Sequence, residues 1–215
     1  MKNSLDMAIQ KGLLISDVGN NFKLSYEKKR EILRNNIWGV DIDILAVEVA
    51  KFSLLIKLIE DSSLYEMESF AKNNNCRILP SLDNNIKNGN SLVDEKYIEF
   101  NSNILNDPEM VEKIKIFNWE NEFAGEKFDA IVGNPPYIRV QNMVHFSENE
   151  YEYYKSAVSK YETAKSDLLD KYFLFMEKGL QLLKPKGKMG YIIPHKFMLI
   201  KSGTSLRKLL SEKKY

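Results

Sequence analysis

Short apolar runs alternate with longer amphipathic segments along this chain. Residues 37–42, 128–133 and 188–193 have the length and composition of buried strands. After the first run, residues 45–60 are predicted to form the most apolar helix of the chain, with Asp43 as its N-cap. Its β-branched residues lower its helix propensity, so burial has to stabilise it. This alternation predicts an α/β fold in which helices cover both faces of a parallel sheet.

The N-terminal 36 residues predict helix, loop and helix. In the second helix, Glu27 and Glu31 have the spacing to pair with Arg30 and Arg34. Further along, Ser166 is the predicted cap of an amphipathic helix over the residues that follow it. That helix covers residues 167–183 and ends at Lys184-Pro185-Lys186-Gly187, because proline cannot continue a helix.

Three polar stretches predict less regular structure. Residues 61–85 predict loop or weak helix, and residues 94–122, interrupted by Asp107-Pro108, predict an irregular insert. Residues 138–165 are polar and rich in tyrosine, which we interpret as a mobile loop with a short helix.

Composition narrows the class of protein. The 215 residues are 44% hydrophobic and 28% charged, values typical of a globular domain rather than a disordered chain. A single cysteine, Cys76, excludes a disulfide scaffold. No apolar run reaches the roughly 18 residues of a membrane span, and the N-terminus lacks a signal-peptide pattern, so a cytoplasmic location is the default.

The net charge of +1 conceals an uneven distribution. Residues 184–215 carry +8 and residues 1–183 carry −7. A basic edge on an acidic body is consistent with a polyanionic partner, and equally with a solvated helix face.

Ligands of parallel sheets bind beyond the carboxyl ends of the strands. This rule selects Asp41, Asn90 and the tetrapeptide Asn134-Pro135-Pro136-Tyr137. The two prolines fix φ and remove two amide donors, which gives a rigid turn with free carbonyls. The Asn134 amide oxygen and a backbone carbonyl can together accept both hydrogens of an exocyclic amino group. The ring of Tyr137 can stack on a planar base, so the turn suits a flipped nucleobase.

Four segments resemble the adenine-N6-specific DNA methyltransferase family. They are FDAIVGNPPY, NNIWGVDIDILAVEVAKFSLLIKL, LDNNIKNGNSLV and DKYFLFMEKGLQLLKPKGKMGYIIPHKF. In this order they are most similar to the methylase domains of type IIG restriction-modification enzymes. The resemblance implies a Rossmann-like class I S-adenosylmethionine-dependent methyltransferase fold of the α/β class. It implies an N-terminal helical segment, 1–36, before a partial catalytic domain, 37–215, with its insert at about 94–122.

The resemblance also implies roles for individual residues. Asp41 would bind the ribose hydroxyls of S-adenosylmethionine, and Ile42 would pack on its adenine. Asn90 stands where the family usually has an aspartate near the cofactor's adenine amino group. Asn134 and the carbonyl of Pro135 would hold the target amino group, with Pro136 stiffening the turn. Tyr137 would stack on the flipped adenine of double-stranded DNA.

Two parts of the family pattern are not found in this sequence. They are the Gly-rich loop after the first strand, and the C-terminal strands with a target-recognition domain. The resemblance therefore implies an incomplete fold, completed by further segments or by a second polypeptide, and we expect no methylation of DNA by residues 1–215 alone. No membrane partner is implied.

Alternative interpretations stay open from the sequence. The same tetrapeptide also occurs in enzymes that methylate adenine in ribosomal RNA or glutamine in proteins, although the extended match after residue 166 and the insert at 94–122 favour the DNA enzymes. A non-catalytic remnant or partner subunit, binding only nucleic acid or a second chain, is the alternative from another class. Structurally, Asn134 would be a plain turn residue, Tyr137 a packed aromatic, Asp41 a helix-capping acid and Asn90 a turn residue. His145 and His195 lack metal-ligand spacing, so no metal site is predicted.

Overall fold

The computed structural model describes a large part of the chain, namely residues 2–16, 22–139, 142–143, 147–165 and 169–212, with only the backbone for residues 2–5. The chain divides into two compact units. The N-terminal unit is Met1–Asn88 and the C-terminal unit is Gly89–Tyr215.

The described residues of the N-terminal unit form four helices and two small sheets. In chain order its elements are α1 (Lys2–Gln10), β1 (Leu14–Ser16), β2 (Phe22–Leu24), α2 (Tyr26–Asn36), β3 (Gly39–Asp41), α3 (Ile44–Ile59), α4 (Leu64–Asn73) and β4 (Ile86–Asn88). The predicted helix-loop-helix over residues 1–36 is wrong in one respect. Its middle part contains β1 and β2, which pair antiparallel with Leu14 opposite Leu24.

Strand β3 pairs parallel with β4, with Asp41 opposite Asn88. The strand predicted at 37–42 therefore exists, shortened to Gly39–Asp41. The predicted cap of the next helix is confirmed, since Asp43 Oδ1 accepts a hydrogen bond from Leu45 N at 2.9 Å. A capping carboxylate satisfies one of the amide groups that a helix N-terminus leaves without an intrahelical partner.

Helix α3 is buried on only one face. Val47 and Leu58 lie in the core, whereas Leu45 is 72% and Phe52 is 64% exposed. The core around this face contains Tyr26, Leu33, Leu82 and Ile86. The sequence did not show that α3 leaves large apolar side chains in solvent. The apolar residues cover almost the whole circumference of this helix, so their pattern does not select one buried face.

One prediction of local detail was wrong in this unit, namely the pairing of Glu31 with an arginine. Glu31 pairs with Lys28 at 2.8 Å instead of with an arginine. The guanidinium of Arg30 lies over the ring of Phe70, 5.4 Å from its centroid, so tertiary packing overrides the helical spacing. Within the polar stretch 61–85, α4 is a regular helix capped by Ser63.

The C-terminal unit contains six helices and one parallel strand pair among its described residues. Its elements are α5 (Lys96–Phe100), α6 (Pro108–Ile114), α7 (Trp119–Glu122), β5 (Phe128–Gly133), α8 (Glu148–Lys155), α9 (Lys171–Leu182), β6 (Leu183–Tyr191) and α10 (Thr204–Ser211), with 3-10 turns at Ser102–Asn106, Thr163–Lys165, His195–Met198 and Lys201–Gly203.

Strands β5 and β6 pair parallel, and Gly133 lies opposite Tyr191. β6 begins at Leu183, five residues before the predicted strand. A register shift near Phe128 and a positive φ of 70° at Lys186 accommodate the Pro-Lys-Gly sequence within the strand. The predicted cap Ser166 lies outside the described residues, and the described helix α9 runs from Lys171.

Helix α9 packs closely on β6 at Gly179. A Cβ added there would lie 2.9 Å from Met189 Sδ and 2.9 Å from Tyr191 Oη, so these two side-chain ends would have to shift for any larger residue.

The tyrosine-rich stretch differs most from its prediction. Tyr153, Tyr154 and Tyr161 are buried in the main core of the C-terminal unit instead of lying in a mobile loop, whereas the short helix predicted within residues 138–165 is confirmed as α8. The insert at 94–122 contributes to the same core through Tyr97, Ile104 and Ile114. The sequence pattern counts tyrosine as polar, because it does not show which tyrosine hydroxyls have a buried hydrogen-bond partner.

Both parallel strand pairs place the chain in the α/β class. Among the described residues they form separate two-stranded sheets, so the larger Rossmann-like sheet stays a prediction. None of the helices in the described ranges has the length and apolarity to cross a membrane.

Candidate active site

The tetrapeptide Asn134–Tyr137 directly follows β5, where the sequence predicts a ligand site. Asn134, Pro136 and Tyr137 are exposed and Pro135 is buried. The turn therefore presents an amide and an aromatic ring at the carboxyl end of a parallel strand. The ring of Tyr137 is 52% exposed, which leaves room for a planar group on it.

The backbone of this turn keeps free acceptors. Neither proline can donate an amide hydrogen. Within the part of the chain that the structure describes, the carbonyls of Asn134, Pro135 and Pro136 accept no hydrogen bond. The prediction of a strand-end turn with free carbonyls holds for these residues.

The Tyr137 hydroxyl connects the turn to the end of the neighbouring strand. Its Oη lies 2.8 Å from Asn134 Oδ1 and 2.7 Å from the carbonyl oxygen of Ile192. Ile192 N in turn donates to Gly133 O at 3.1 Å. The ring of Tyr137 meets that of Tyr172 edge-on, with centroids 6.3 Å apart. Sequence reasoning missed Ile192, whose only local signal is its position directly after β6.

The residue after the tetrapeptide is fixed by α9. Lys171 N donates to Ile138 O at 2.7 Å, and Arg139 forms an isolated bridge with Asp170. The Lys171 ammonium pairs with the buried carboxylate of Glu150 at 3.0 Å. Burial raises the pKa of Glu150, but the Lys171 charge and hydrogen bonds from Tyr154, Lys171 and Ser147 outweigh it and lower that pKa.

The predicted cofactor residues Asp41 and Ile42 lie together in the N-terminal unit, at the end of β3. Asp41 Oδ1 accepts a hydrogen bond from Asp43 N at 2.8 Å, and both residues are exposed. Asn88 was missed by the sequence reasoning. Its Nδ2 donates to the carbonyls of Asp41 and Ile42, each at 3.0 Å, and so fixes the turn that carries them.

Asn90 is buried, unlike the other two predicted cofactor residues, Asp41 and Ile42. It is 3% exposed, and its Oδ1 accepts a hydrogen bond from Leu92 N at 3.1 Å. Its Nδ2 is buried near the hydroxyl of Tyr154 without a well-formed hydrogen bond. Asn90 Oδ1 therefore keeps a second lone pair, while its buried Nδ2 has no hydrogen-bond partner among the residues that the structure describes.

The basic segment 184–215 is only partly free for a polyanion. Lys184 pairs with Asp129 at 2.9 Å, which lowers the pKa of that carboxyl, and Arg207 donates to the carbonyls of Phe197 and Ile200. Lys196 and Lys201 are exposed. Across the described ranges, no three His, Cys, Asp or Glu side chains come together as metal ligands would.

Comparison with known proteins shows the family of the chain. The pattern of the Eco57I restriction-modification methylase family matches residues 35–215. The chain is 40% identical to the type II restriction enzyme and methyltransferase RM.Eco57I of Escherichia coli, over 91% of this chain and 18% of that protein. It is 26% identical to the type II methyltransferase M.HincII of Haemophilus influenzae, over 68% of this chain and 28% of that protein. It is 35% identical to M.BstVI of Geobacillus stearothermophilus, over 40% of this chain and 14% of that protein.

Fold and site define an α/β protein whose candidate site is a proline-stiffened turn at the end of a parallel strand. The chain belongs to the Eco57I restriction-modification methylase family. The family resemblance stated from the sequence is thereby confirmed. The chain spans less than a third of the length of each of these curated relatives.

Proposed function

We propose that this chain carries the catalytic site of a DNA methyltransferase of a restriction-modification system. The reaction is transfer of a methyl group from S-adenosylmethionine to the N6 amino group of adenine. The observation that carries the proposal is the family match over residues 35–215, together with the exposed Asn134 and the free Pro135 carbonyl at the end of β5. The names of the relatives, restriction enzyme and methyltransferase, support the same reaction class.

Asp41 and Ile42 suit a bound S-adenosylmethionine. Asp41 uses Oδ1 for the turn and keeps Oδ2 for a ribose hydroxyl, and the exposed Ile42 side chain offers an apolar surface for adenine. When bound, the cofactor supplies an electrophilic methyl group on a sulfonium. Asn90, which is 3% exposed, is proposed to lie near the adenine amino group of the cofactor.

The residues of the turn act on the target amino group. Its lone pair is delocalised into the purine ring, which makes the nitrogen a poor nucleophile. Asn134 Oδ1 and Pro135 O accept its two hydrogens, which favours a more pyramidal nitrogen and stabilises the positive charge that develops there. Alignment of nitrogen, methyl and sulfonium supplies the proximity contribution.

Double-stranded DNA with a flipped adenine is the proposed partner. Tyr137 stacks on the flipped base, and the exposed Lys196 and Lys201 contact phosphates. A Gly-rich loop and a target-recognition domain come from segments outside residues 1–215 or from a second polypeptide. We propose the cytoplasm as the location, because DNA is the substrate.

The test uses the complete protein that contains this chain, with unmethylated phage DNA and tritiated S-adenosylmethionine. Asn134→Ala is expected to lower the rate of methyl transfer to adenine by roughly 10²–10³-fold, because it removes a transition-state acceptor. DNA affinity should change little, since phosphate contacts dominate it. Asn103→Ala, an exposed asparagine of a 3-10 turn, is the matched control.

Three outcomes would reject the proposal. One is unchanged methylation by the Asn134→Ala protein. Another is transfer of label into ribosomal RNA or into a glutamine of a protein instead of DNA. A third is DNA binding by the complete protein without any methyl transfer, which would support a non-catalytic binding subunit.

A further inference from the structure

The Tyr137 hydroxyl lies between two oxygen atoms. Asn134 Oδ1 is 2.8 Å from Oη, and Ile192 O is 2.7 Å away on the adjacent strand end. A phenol has one proton to donate, so it can satisfy only one of two acceptors at these distances. As placed, one oxygen faces Oη without a hydrogen between them.

Turning the Asn134 amide by 180° about its Cβ–Cγ bond removes this conflict. Nδ2 then stands where Oδ1 stood and donates to Oη, and Oη donates its proton to Ile192 O. Each group in this chain of hydrogen bonds has its complementary partner. The Ile192 carbonyl has only one orientation, because backbone pairing at the ends of β5 and β6 fixes it through Ile192 N and Gly133 O.

The turned amide has a direct consequence for chemistry. Its Oδ1 points away from the hydroxyl, with both lone pairs available to a substrate hydrogen. A donated Nδ2 hydrogen also polarises the amide and makes Oδ1 a better acceptor. Without the hydroxyl, the exposed amide would rotate freely and would present an NH₂ group to the target as readily as an oxygen.

We propose that the Tyr137 hydroxyl is a positioning group that orients the Asn134 amide, with Nδ2 towards Oη and Oδ1 towards the target amino group. This inference rests on the proposed function and adds a second role to a residue assigned there only as a stacking ring. The two roles separate cleanly, because phenylalanine keeps the ring and removes the hydroxyl.

The kinetic test compares Tyr137→Phe with the wild-type complete protein. We expect kcat to fall about tenfold, the value of one hydrogen bond that acts in the transition state. KM for DNA and the fluorescence increase of 2-aminopurine at the target position should stay within about twofold, because stacking is retained. Tyr65→Phe removes an exposed hydroxyl in α4 and is the matched control.

An unchanged kcat in Tyr137→Phe would overturn the proposal. A loss of 2-aminopurine fluorescence with unchanged kcat on pre-flipped, mismatched substrate would also overturn it, since the hydroxyl would then act on base binding. Thermal unfolding of both variants shows whether either change acts through folding.

A second measurement reads the amide orientation without activity. In protein with ¹⁵N-labelled asparagine and protonated tyrosine in a deuterated background, we expect an NOE between the Asn134 Hδ2 protons and the Tyr137 Hε protons. Asn134→Ala assigns the amide signal by its disappearance. Absence of this NOE would overturn the proposal even if the enzyme is active. Its presence in a protein that methylates nothing would reject the proposed function alone.

Discussion

Lys171 connects the candidate active site to a buried carboxylate of α8. Its Nζ lies 3.0 Å from Glu150 Oε2, and its backbone N donates to the carbonyl of Ile138, the residue after Tyr137. Tyr154 also donates to Glu150 Oε2, at 2.7 Å. One residue thus ties the segment that leaves the Asn-Pro-Pro-Tyr turn to the tyrosine-rich core.

Glu150→Gln should destabilise the C-terminal unit strongly. It leaves the Lys171 ammonium buried without its counter-charge, which typically costs about 3–5 kcal/mol. Urea unfolding followed by tryptophan fluorescence measures the change. Glu148→Gln, an exposed residue of the same helix, is the control and should stay within about 0.5 kcal/mol of wild type.

The double variant Glu150→Gln/Lys171→Met should recover part of this loss, because it removes both charges. Additive effects of the two single changes would contradict a direct ion pair.

Acid should weaken folding through the same carboxylate. The pKa of Glu150 is lowered in the folded protein, so its contribution to stability is present above the unfolded pKa of about 4.3 and is lost as the pH falls through the folded pKa. The free energy of unfolding is therefore expected to decrease as the pH falls below about 4.5. Glu150→Gln should flatten this part of the pH profile, and an equally steep profile in the variant would contradict the assignment.

Removing the charge of Glu177 should also lower the free energy of unfolding. This carboxylate of α9 is 1% exposed and accepts hydrogen bonds from Glu162 N, Thr163 N and Thr163 Oγ1 at 2.7–2.9 Å. Glu177→Gln turns an NH₂ group towards at least one of these donors and should cost about 1–3 kcal/mol. Faster amide exchange at Thr163 would localise the effect. Glu68→Gln, exposed in α4, should change neither quantity.

Gly203 should not tolerate a side chain. A Cβ there would lie 1.9 Å from the carbonyl oxygen of Phe197, a backbone atom that cannot move away easily. Gly203→Ala should therefore lower the melting temperature, with a cost of about 1–3 kcal/mol. Gly190→Ala meets nothing closer than 3.8 Å and is the control. Equal melting temperatures for the two variants would contradict the close approach.

Asn88→Ala should weaken binding of the proposed cofactor without changing the side chains of Asp41 and Ile42. It removes two hydrogen bonds that hold the carbonyls of Asp41 and Ile42. We expect the Kd for S-adenosylmethionine, measured by calorimetry on the complete protein, to rise about tenfold. Asp41→Asn should have a similar or larger effect. An Asn88→Ala protein with wild-type affinity would show that the turn keeps its shape without the hydrogen bonds of Asn88.

Features with strong local causes were predictable from the sequence. Asp43 caps α3, and the tetrapeptide lies at the end of β5, because caps and prolines act within a few residues. The parallel pairing of strands followed from the alternation of short apolar runs with helices. The family followed from the order of four segments.

The partners of polar residues were decided by tertiary structure. Tyr137 and Ile192 are 55 residues apart, and Asn88 and Asp41 are 47 apart. Nothing in a local pattern selects such pairs, because a side chain's hydrogen-bond partner depends on which backbone atoms packing brings within about 3 Å. The same reason explains the buried tyrosines of the stretch predicted as a mobile loop with a short helix.

The sequence by itself thus determined several of the elements, the position of the candidate turn and the family to which the chain belongs. The tertiary structure alone decided how the Tyr137 hydroxyl reaches Asn134 and Ile192, and which carboxylates are buried with their partners. Local propensity acts over one turn or one strand end, whereas burial and hydrogen bonding depend on residues that are distant in the chain.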